Sequence, residues 1–464
     1  MIHPQSTRRG FLALGSSLVA TSAGLVAGCG SAEAAASSWN TALPLKQVSL
    51  SNGALVSGYV SDRFMPVFDE FVRNFEQRGE IGASLAMTHK GLPALEAWGG
   101  FADTLSAKPS RPWQRDQLSL VFSCTKAATA LCAHILIAEG VLDLNRPIAH
   151  YWPEFAAQGK GAATVRMALH HSAGVPAIPF ATPVPDQAWA DVDYMTKAIA
   201  QMSPWWEPGT MQGYHALTFG WLIGELIRRV SGVSLGKFFH DRVANPLGMD
   251  FWIGLPSEHL ERVAPMLGTN ETLPGDPFMS RIGLDPTGLQ AAVFFNAGGW
   301  FGTPPSTPPA YNSRLSLQSE IGAAGGVTNG RGLATMYAAL VNAGGFNGVR
   351  LLPDDYAAQL GTIHAATAID QTFRMSSRFG LGFHGAMDNR QHVANASIAL
   401  GTTAYGHAGF GGSIGFGDPA EQMSFGYHMT RMAPGAALNE RGQSLVDAAY
   451  AALGYRSKRN GFWV

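Results

Sequence analysis

One stretch of the chain, residues 127–138, consists almost entirely of apolar and small residues. A helix with so little polar surface has to be enclosed by the rest of the fold. Ser123 and Lys126 stand directly before this stretch, at a spacing that places two side chains on one face of a helix. The sequence therefore predicts a hydroxyl beside an amine at the head of a buried helix, with Lys126 itself buried.

This pair of side chains suits acyl-transfer chemistry. A serine hydroxyl is a poor nucleophile until a neighbouring base takes its proton, and a lysine becomes such a base when burial lowers its pKa. The Ser-x-x-Lys spacing also arises by chance, and an exposed serine beside a solvated lysine is the alternative for an isolated match. Burial of Lys126 favours the catalytic interpretation.

The composition is that of an ordered, well-buried protein. Of 464 residues, 46% are hydrophobic and only 14% are charged, which allows two core-bearing units or one bilobed domain. The formal net charge of -1 gives no electrostatic reason to expect nucleic acid as a partner. Cys124 and Cys132 lie eight positions apart on one predicted helix, too far to bridge each other, so we expect no disulfide framework.

The N-terminus has the pattern of an export signal. Arg8 and Arg9 precede Phe-Leu and a modestly apolar stretch over residues 13–27, which is too short for a transmembrane helix. The paired arginines resemble a twin-arginine signal, and an ordinary secretory signal is the alternative. We expect residues 1–28 to be the signal and the protein to be exported to the cell envelope, periplasmic or otherwise extracytoplasmic.

A second targeting motif lies at the end of this segment. The sequence Val-Ala-Gly-Cys at residues 26–29 is similar to a bacterial lipobox, in which Cys29 would be lipidated and become the mature N-terminus. Cleavage at the small residues 32–36 is the alternative. We expect residues 29–58 to be a tether, and we expect membrane contact only through this lipid anchor.

The periodicity of the mature chain predicts an α+β fold. Strands are expected early and late in the chain, with helices before, between and after them. The simplest packing is one antiparallel β-sheet flanked by helices, plus an inserted, mainly helical lobe. We assign residues 59–124 and 325–464 to the α/β lobe and residues 125–324 to the helical lobe with long loops. Ser123 then lies near the seam between the lobes, where sites are common.

The predicted elements can be stated by their ranges. Helices are expected over 61–78, from 123 to 139, and over 164–170, 217–230, 333–341 and 436–453. Strands are expected over 81–88 and 93–99, and three more between 379 and 430. Residues 251–324 are rich in Pro, Gly and Thr and are expected to be long loops with short helices.

Two further motifs follow the serine–lysine pair. They are Tyr-His-Ala at residues 214–216 and Tyr-Gly-His-Ala-Gly at residues 405–409. With Ser-Cys-Thr-Lys at residues 123–126, they resemble the three motifs of the serine β-lactamase fold family. The resemblance covers roughly residues 60–455 and is closest to family VIII carboxylesterases and class C-type enzymes, which implies a β-lactamase/transpeptidase-like fold.

The resemblance implies a role for each matched position. Ser123 would be the nucleophile, and Lys126 and Tyr214 together the general base. The oxyanion would be held by the backbone N–H groups of Ser123 and Phe410. No metal or organic cofactor is implied, and the expected partner is a small-molecule ester. The positions implied to bind the substrate are His407, Ala408 and Gly409.

Two departures from the family pattern point to the substrate. Ala216 stands where class C enzymes have an asparagine, whose amide would hydrogen-bond a peptide or β-lactam amide. His407 stands where a lysine would supply a positive charge for a substrate carboxylate, and histidine is mostly neutral at pH 7. Both changes favour neutral esters, with short acyl chains expected.

Other functions remain open at this stage. A penicillin-interactive D,D-peptidase or β-lactamase would use the same nucleophile, and a transesterase or an amide-oligomer hydrolase is also compatible with this scaffold. A catalytically silent envelope lipoprotein that binds a cell-wall fragment is the non-enzyme alternative, which the presence of all three motifs argues against.

A second serine motif has to be weighed against the first. Residues 411–415 read Gly-Gly-Ser-Ile-Gly, the Gly-x-Ser-x-Gly pattern of an α/β-hydrolase nucleophile elbow with Ser413 as nucleophile. Too little chain follows for the acid, the histidine and their strands, so we interpret the segment as a Gly-rich turn between two strands. The adjacent His170 and His171 have no ligand partner at helical spacing, so we propose no metal site.

Overall fold

The computed structural model describes most of the chain after the N-terminal segment. The predicted signal over residues 1–28 and the lipidation site Cys29 lie outside the described residues. The described residues are 39, 43–269, 271, 273–302, 309–393, 395–435 and 437–464.

The strands fall into an early and a late group, with short strands between them. They are β1 (Leu45–Ser49), β2 (Leu55–Val60), β3 (Gly82–His89), β4 (Leu92–Gly100), β5 (Ser119–Leu120), β6 (Trp252–Ile253), β7 (Gly326–Thr328), β8 (Gly345–Phe346), β9 (Val349–Arg350), β10 (Ala365–Thr367), β11 (Ser377–Phe379), β12 (Leu400–Gly401), β13 (Tyr405–Ala408), β14 (Ile414–Asp418), β15 (Met423–Met429) and β16 (Phe462–Trp463).

The helices occupy the middle of the chain and flank the strands at both ends. They are α1 (Met65–Gln77), α2 (Thr125–Ala138), α3 (Ile148–Tyr151), α4 (Val165–Leu169), α5 (Val192–Gln201), α6 (Thr218–Ser231), α7 (Leu235–Phe239), α8 (Pro277–Leu284), α9 (Leu289–Phe295), α10 (Arg314–Gln318), α11 (Gly330–Val341), α12 (Asp354–Ala357) and α13 (Glu440–Leu453).

Early and late strands join in one seven-stranded sheet, as the sequence predicts. Its order is β1-β2-β4-β3-β15-β14-β13, and every neighbouring pair is antiparallel. The junction is the pair β3–β15, in which Ser84 lies opposite His428. Strand β13 is the last named strand at one edge, and on its outer side Gly406 exchanges two backbone hydrogen bonds with His384, at 2.9 and 3.0 Å.

Helices cover both faces of this sheet. Helix α11 packs on β3, β14 and β15, while α1 packs on β2 and β4 and also contacts α13. The helix–sheet contact is close because glycines face it: a Cβ added at Gly426 would lie 2.3 Å from the carbonyl oxygen of Gly330. Because both faces are covered, every residue of β15 is buried.

The apolar stretch after Lys126 forms the central helix of the inserted part. Residues Thr125 to Leu136 of α2 are all buried. Helices α6 and α7 pack against α2, and α5 packs against α6 in turn. The predicted α+β fold with a mainly helical insertion is therefore confirmed. None of the helices that the structure describes is long and apolar enough to span a membrane.

The expected tether over residues 29–58 is wrong from residue 45 onward. Strands β1 and β2 form a hairpin that pairs with β4 and extends the sheet. Trp39 is also buried, and its indole N–H donates to the hydroxyl of Thr335, 2.9 Å away. The segment was missed because β1 is a short edge strand with three exposed residues, which leaves no clear apolar alternation.

Several other boundaries agree with the expected ones. Helix α1 and strands β3 and β4 lie where the sequence predicts them, and the region 379–430 contains the three expected sheet strands β13, β14 and β15. The closing helix begins at Glu440, later than expected, because the Asn439 side chain caps it by accepting from the Gly442 N–H. The described residues of the region 251–324 form loops with the short strand β6, two 3₁₀ segments and the three short helices α8, α9 and α10.

Candidate active site

A tight turn between β5 and α2 presents the hydroxyl of Ser123. Residues 122–124 form one 3₁₀ turn, in which Phe122 and Cys124 are buried and Ser123 is half-buried. Phe122 has a φ of +44°, a left-handed conformation that is strained for a bulky residue. Its ring is held by edge-on contacts with Tyr311 at 5.3 Å and Phe410 at 5.8 Å between centroids. The surrounding packing thus maintains a backbone that exposes one hydroxyl.

Lys126 is buried directly beneath this hydroxyl, as the sequence predicts. Its side chain is 0% exposed, and its Nζ lies 3.1 Å from the Ser123 Oγ. The same Nζ lies 2.7 Å from the carbonyl oxygen of Ala216 and 2.9 Å from that of Ala323. The amine therefore contacts three oxygens from three separate segments of the chain.

Burial makes the amine of Lys126 a base. Loss of hydration holds its pKa well below the usual 10.5. In the neutral form, which this shift favours, the amine has two N–H donors and one lone pair. The two carbonyl oxygens, of Ala216 and Ala323, can accept only, so they take both N–H groups. The lone pair then remains for the hydroxyl of Ser123, which is the arrangement that a general base for this serine requires.

Tyr214 completes the group. Its side chain is 5% exposed, and the Nζ of Lys126 lies 4.7 Å from the centre of its ring. Burial raises the pKa of the Tyr214 phenol, while a hydrogen bond with the Ser123 side chain opposes that rise. The structure thus brings together the three side chains that the sequence assigns to catalysis, although Tyr214 is distant from the other two in the chain.

The segment around Tyr214 is fixed by its backbone. The N–H of Gly213 donates to the carbonyl oxygen of His171 at 3.0 Å, and the N–H of His215 donates to the His171 Nδ1 at 3.2 Å. The N–H of Tyr214 itself donates to the Asp370 Oδ1 at 3.0 Å. Three consecutive amides are therefore anchored, and burial holds the pKa of His171 well below its usual range, so it stays neutral and accepts.

The edge strand β13 lies against the turn that carries Ser123. A Cβ added at Gly409 would lie 2.3 Å from the carbonyl oxygen of Val121, so only glycine permits this approach. The thiol of Cys124 donates to the carbonyl oxygen of His407 at 3.2 Å. The residues His407, Ala408 and Gly409 are thereby brought beside the nucleophile, as predicted.

Two backbone donors at this contact are unused. In the described part of the chain, the N–H groups of Ser123 and Phe410 donate to no backbone or side-chain acceptor. The N–H of Ala408, in contrast, already donates to the His384 Nε2 at 2.7 Å. The two unused donors are the pair that the resemblance assigns to the oxyanion hole.

The histidine of the third motif is uncharged. The Nδ1–H of His407 donates to the carbonyl oxygen of Ala408 at 2.7 Å, which leaves its Nε2 as a bare acceptor. Burial holds the pKa of His407 well below its usual range and lowers that of the neighbouring His384 to about 4. The two rings lie 4.7 Å apart. This position therefore supplies no positive charge at neutral pH.

Apolar surface borders the nucleophile on the side of the inserted lobe. Phe410 contacts Phe294 and Phe301, with ring centroids 6.1 and 6.2 Å apart. Phe294 and Ala216 also pack against a small apolar cluster that includes Trp206. Where the class C pattern has a polar amide, this chain thus has a methyl group against apolar neighbours.

The second serine motif forms a turn, as predicted. Ser413 lies between β13 and β14, is 0% exposed, and its Oγ has no hydrogen-bond partner among the residues that the structure describes. Gly411 and Gly412 have φ values of +92° and +120°, which the tight turn requires. Within the same described residues, no group of three or more His, Cys, Asp or Glu side chains is placed to hold a metal ion.

Sequence reasoning missed several residues that shape this site. Asp370, Phe373 and Phe379 surround Tyr214, and His384 contacts β13, yet none belongs to a motif. The only local signal is that Asp370 begins a turn by accepting from the N–H groups two and three positions later. Its contact with Tyr214 spans 156 positions, which no local pattern reveals.

Comparisons with known proteins agree with this architecture. A family model described as Beta-lactamase matches residues 68–450. The esterase/beta-lactamase LipL of Mycobacterium tuberculosis is 32% identical over 80% of this chain and 82% of its own length. A solved family VIII carboxylesterase is 33% identical with a TM-score of 0.72, and a penicillin-binding protein homolog from Caulobacter crescentus is 31% identical with a TM-score of 0.73. Each covers 86% of this chain and 99% of the solved chain.

Proposed function

The chain belongs to the beta-lactamase family of serine hydrolases, and we propose that it hydrolyses neutral carboxylic esters through an acyl-enzyme on Ser123. The observation that carries this proposal is the environment of Lys126. The fully buried amine contacts two carbonyl oxygens and the serine hydroxyl, so its neutral form can direct one lone pair at that hydroxyl. That arrangement activates an oxygen nucleophile without a cofactor.

The first half of the reaction forms the acyl-enzyme. Lys126 takes the proton of Ser123 as the serine oxygen attacks the ester carbonyl. The N–H groups of Ser123 and Phe410 stabilise the negative charge on the carbonyl oxygen. Tyr214 stays protonated because burial raises its pKa, so it passes its proton to the leaving alkoxide and receives one from Lys126. The carbon–oxygen bond to the alcohol breaks, and Lys126 is neutral again.

The second half of the reaction releases the acid. Water attacks the acyl carbonyl and gives its proton to the same amine and phenol pair. The oxyanion is stabilised by the same two N–H groups, and the proton returns to the oxygen of Ser123 as the carbon–oxygen bond breaks. Neither half needs a charge on His407.

The preference for esters follows from what the site lacks. A β-lactam or a D,D-peptide carries a carboxylate, and the third motif has a neutral His407 where a cation would meet it. Ala216 offers only its backbone carbonyl, which already accepts from Lys126. Apolar neighbours at Phe294 and Phe410 suit an uncharged acyl or alcohol group. We propose short-chain acyl esters as the first substrates to test.

β-Lactam hydrolysis is the second candidate. Its support is the likeness to LipL, an esterase/beta-lactamase, and to a penicillin-binding protein homolog. The nucleophile and the base would be the same residues, so the two activities would differ in how the site receives the carboxylate and the amide of the substrate. We propose esters as the better substrates.

We also propose that the enzyme acts in the cell envelope. The support is the segment with Arg8 and Arg9 followed by an apolar stretch, together with the lipobox-like sequence ending at Cys29. The substrate would then be a molecule that occurs outside the cytoplasm.

The test is hydrolysis of p-nitrophenyl butyrate by wild type, Ser123→Ala and Ser413→Ala. We expect Ser123→Ala to lose activity by about 10⁴-fold or more, as for removal of a catalytic nucleophile, and Ser413→Ala to retain it. Equal activity in wild type and Ser123→Ala would refute the proposal. A wild type that neither turns over the ester nor reacts with a fluorophosphonate would favour a silent binding protein.

A further inference from the structure

A buried carboxylate lies behind Tyr214. Asp370 stands in the turn between β10 and β11 and is 0% exposed. We propose that Asp370 is a positioning residue that holds Tyr214 for proton transfer, an inference that rests on the proposed esterase function. It is remote from the three motifs in sequence and is joined to them only by the fold.

Four donors converge on this carboxylate. Its Oδ1 accepts from the backbone N–H of Tyr214 at 3.0 Å, of Thr372 at 2.8 Å and of Phe373 at 3.0 Å. Its Oδ2 accepts from the hydroxyl of Ser377 at 3.0 Å. Among the residues described, no lysine, arginine or histidine forms a salt bridge with it. The group therefore acts as an acceptor on every side.

A purely local role would need fewer of these bonds. An aspartate that closes its own turn accepts from N–H groups two and three positions later, which the bonds to Thr372 and Phe373 already provide. The bond to Tyr214 crosses between two distant segments of the chain. A buried carboxylate without a cation is costly, and hydrogen bonds to the charged form are what offset that cost. The bond to Tyr214 is thus a contact of this carboxylate that closing the local turn does not explain.

The same carboxylate also places the ring that stacks on Tyr214. Phe373, whose N–H it binds, lies 4.6 Å from the Tyr214 ring centre with the planes 21° apart. Phe379 lies at 5.8 Å and 13°. A second tie joins the segments, since the N–H of Gln371 donates to the carbonyl oxygen of Gln212 at 2.8 Å. Asp370 thereby fixes both the backbone of the tyrosine and the aromatic surface beside it.

Loss of this anchor should affect the rate of reaction more than substrate binding. Tyr214 relays a proton in the transition state, so a displaced hydroxyl lowers kcat with little change in KM. We expect Asp370→Ala to lower kcat about 10- to 100-fold, part of the range for general acid–base catalysis.

Asp370→Asn separates geometry from charge. Its carbonyl oxygen can accept the three N–H groups, while its amide can donate to the Ser377 hydroxyl. We therefore expect Asp370→Asn to retain kcat within about threefold of wild type. Ser377→Ala is the matched control, because it removes one bond to the same carboxylate without touching Tyr214, and we expect it to retain kcat as well.

The decisive measurement repeats each substitution in a Tyr214→Phe background. The full chain is assayed with p-nitrophenyl butyrate, and urea unfolding checks that each variant is folded. If Asp370 acts through the tyrosine hydroxyl, Asp370→Ala should cost little further activity once that hydroxyl is gone. An equal fold-loss in both backgrounds overturns the inference.

Two other outcomes are also informative. A folded Asp370→Asn that loses as much kcat as Asp370→Ala overturns the inference, because charge rather than the acceptor geometry would then matter. If Asp370→Ala does not fold, Asp370→Asn decides alone: retained kcat supports the inference, and a loss of more than about tenfold refutes it. Failure of the proposed function would differ from all of these, since wild-type turnover would not depend on Ser123.

Discussion

Two buried lysines in this chain allow a controlled test of the proposed base. Lys126 and Lys160 are both 0% exposed, and each Nζ donates to backbone carbonyl oxygens. Only Lys126 also contacts a hydroxyl, that of Ser123 at 3.1 Å. Replacing each lysine by methionine keeps a long unbranched side chain and removes the amine.

The expected effects on activity differ widely. Lys126→Met removes the group that takes the proton of Ser123, so kcat/KM should fall by about 10²- to 10⁴-fold, the usual contribution of a general base. That fall corresponds to about 3–5 kcal/mol in the activation barrier. Lys160→Met should leave kcat/KM within about threefold of wild type, because nothing links it to Ser123.

The expected effects on stability run the other way. Lys126→Met leaves two buried carbonyl oxygens without their donor, and Lys160→Met leaves three. Each oxygen left without a donor costs about 1–3 kcal/mol of stability, and the variant gains part of this back because it no longer buries an amine. The free energy of unfolding measured in urea should therefore be as low for Lys160→Met as for Lys126→Met, or lower. Lys126 is not the base if Lys126→Met keeps more than about a tenth of the wild-type activity, or if Lys160→Met loses as much activity as Lys126→Met.

Three further predictions concern the third motif and the buried histidines. Gly409→Ala, whose Cβ would lie 2.3 Å from the Val121 carbonyl oxygen, should lower kcat at least about tenfold by separating β13 from the nucleophile; unchanged kcat contradicts this. Nitrocefin, which carries a carboxylate, should have a lower kcat/KM than p-nitrophenyl butyrate because His407 is neutral; the reverse order favours a β-lactamase. Acidification from pH 6.5 to about 4 should lower the free energy of unfolding. The reason is that folding lowers the pKa of His384 from 6.5 to about 4, so in this range the unfolded chain binds a proton that the folded chain does not. The expected loss of stability is about 3 kcal/mol for this residue alone. A urea midpoint that stays constant or rises over that range contradicts it.

Local spacing predicted the part of the site that is local in the chain. The i, i+3 relation of Ser123 and Lys126, followed by an apolar helix, predicted both the contact and the burial, and the structure confirms them. The early and late strands were recognisable by their apolar runs, which predicted one sheet. The positions of Tyr214 and His407 came from resemblance to a family and not from any property of their own segments.

Contacts that depend on tertiary packing were not predictable. Asp370 and His384 are ordinary turn and strand residues in sequence, and only the fold brings them to Tyr214 and Ala408. The left-handed Phe122 would be unfavourable in isolation, and its aromatic neighbours together with the hydrogen bond from the Thr125 hydroxyl to its carbonyl oxygen maintain it. Strand β1 escaped notice because an edge strand gains its stability from its partner rather than from its own apolar pattern.

Locating the acyl group on the enzyme identifies the nucleophile directly. The enzyme is mixed with p-nitrophenyl butyrate, quenched in acid during turnover, digested with trypsin and sequenced by mass spectrometry. Trypsin cleaves after Arg115 and Lys126, so Ser123 lies in the peptide 116–126 together with Cys124. We expect a butyryl group on the oxygen of Ser123, and no such adduct in Ser123→Ala. A butyryl group on Ser413 or Cys124 would show that Ser123 is not the nucleophile.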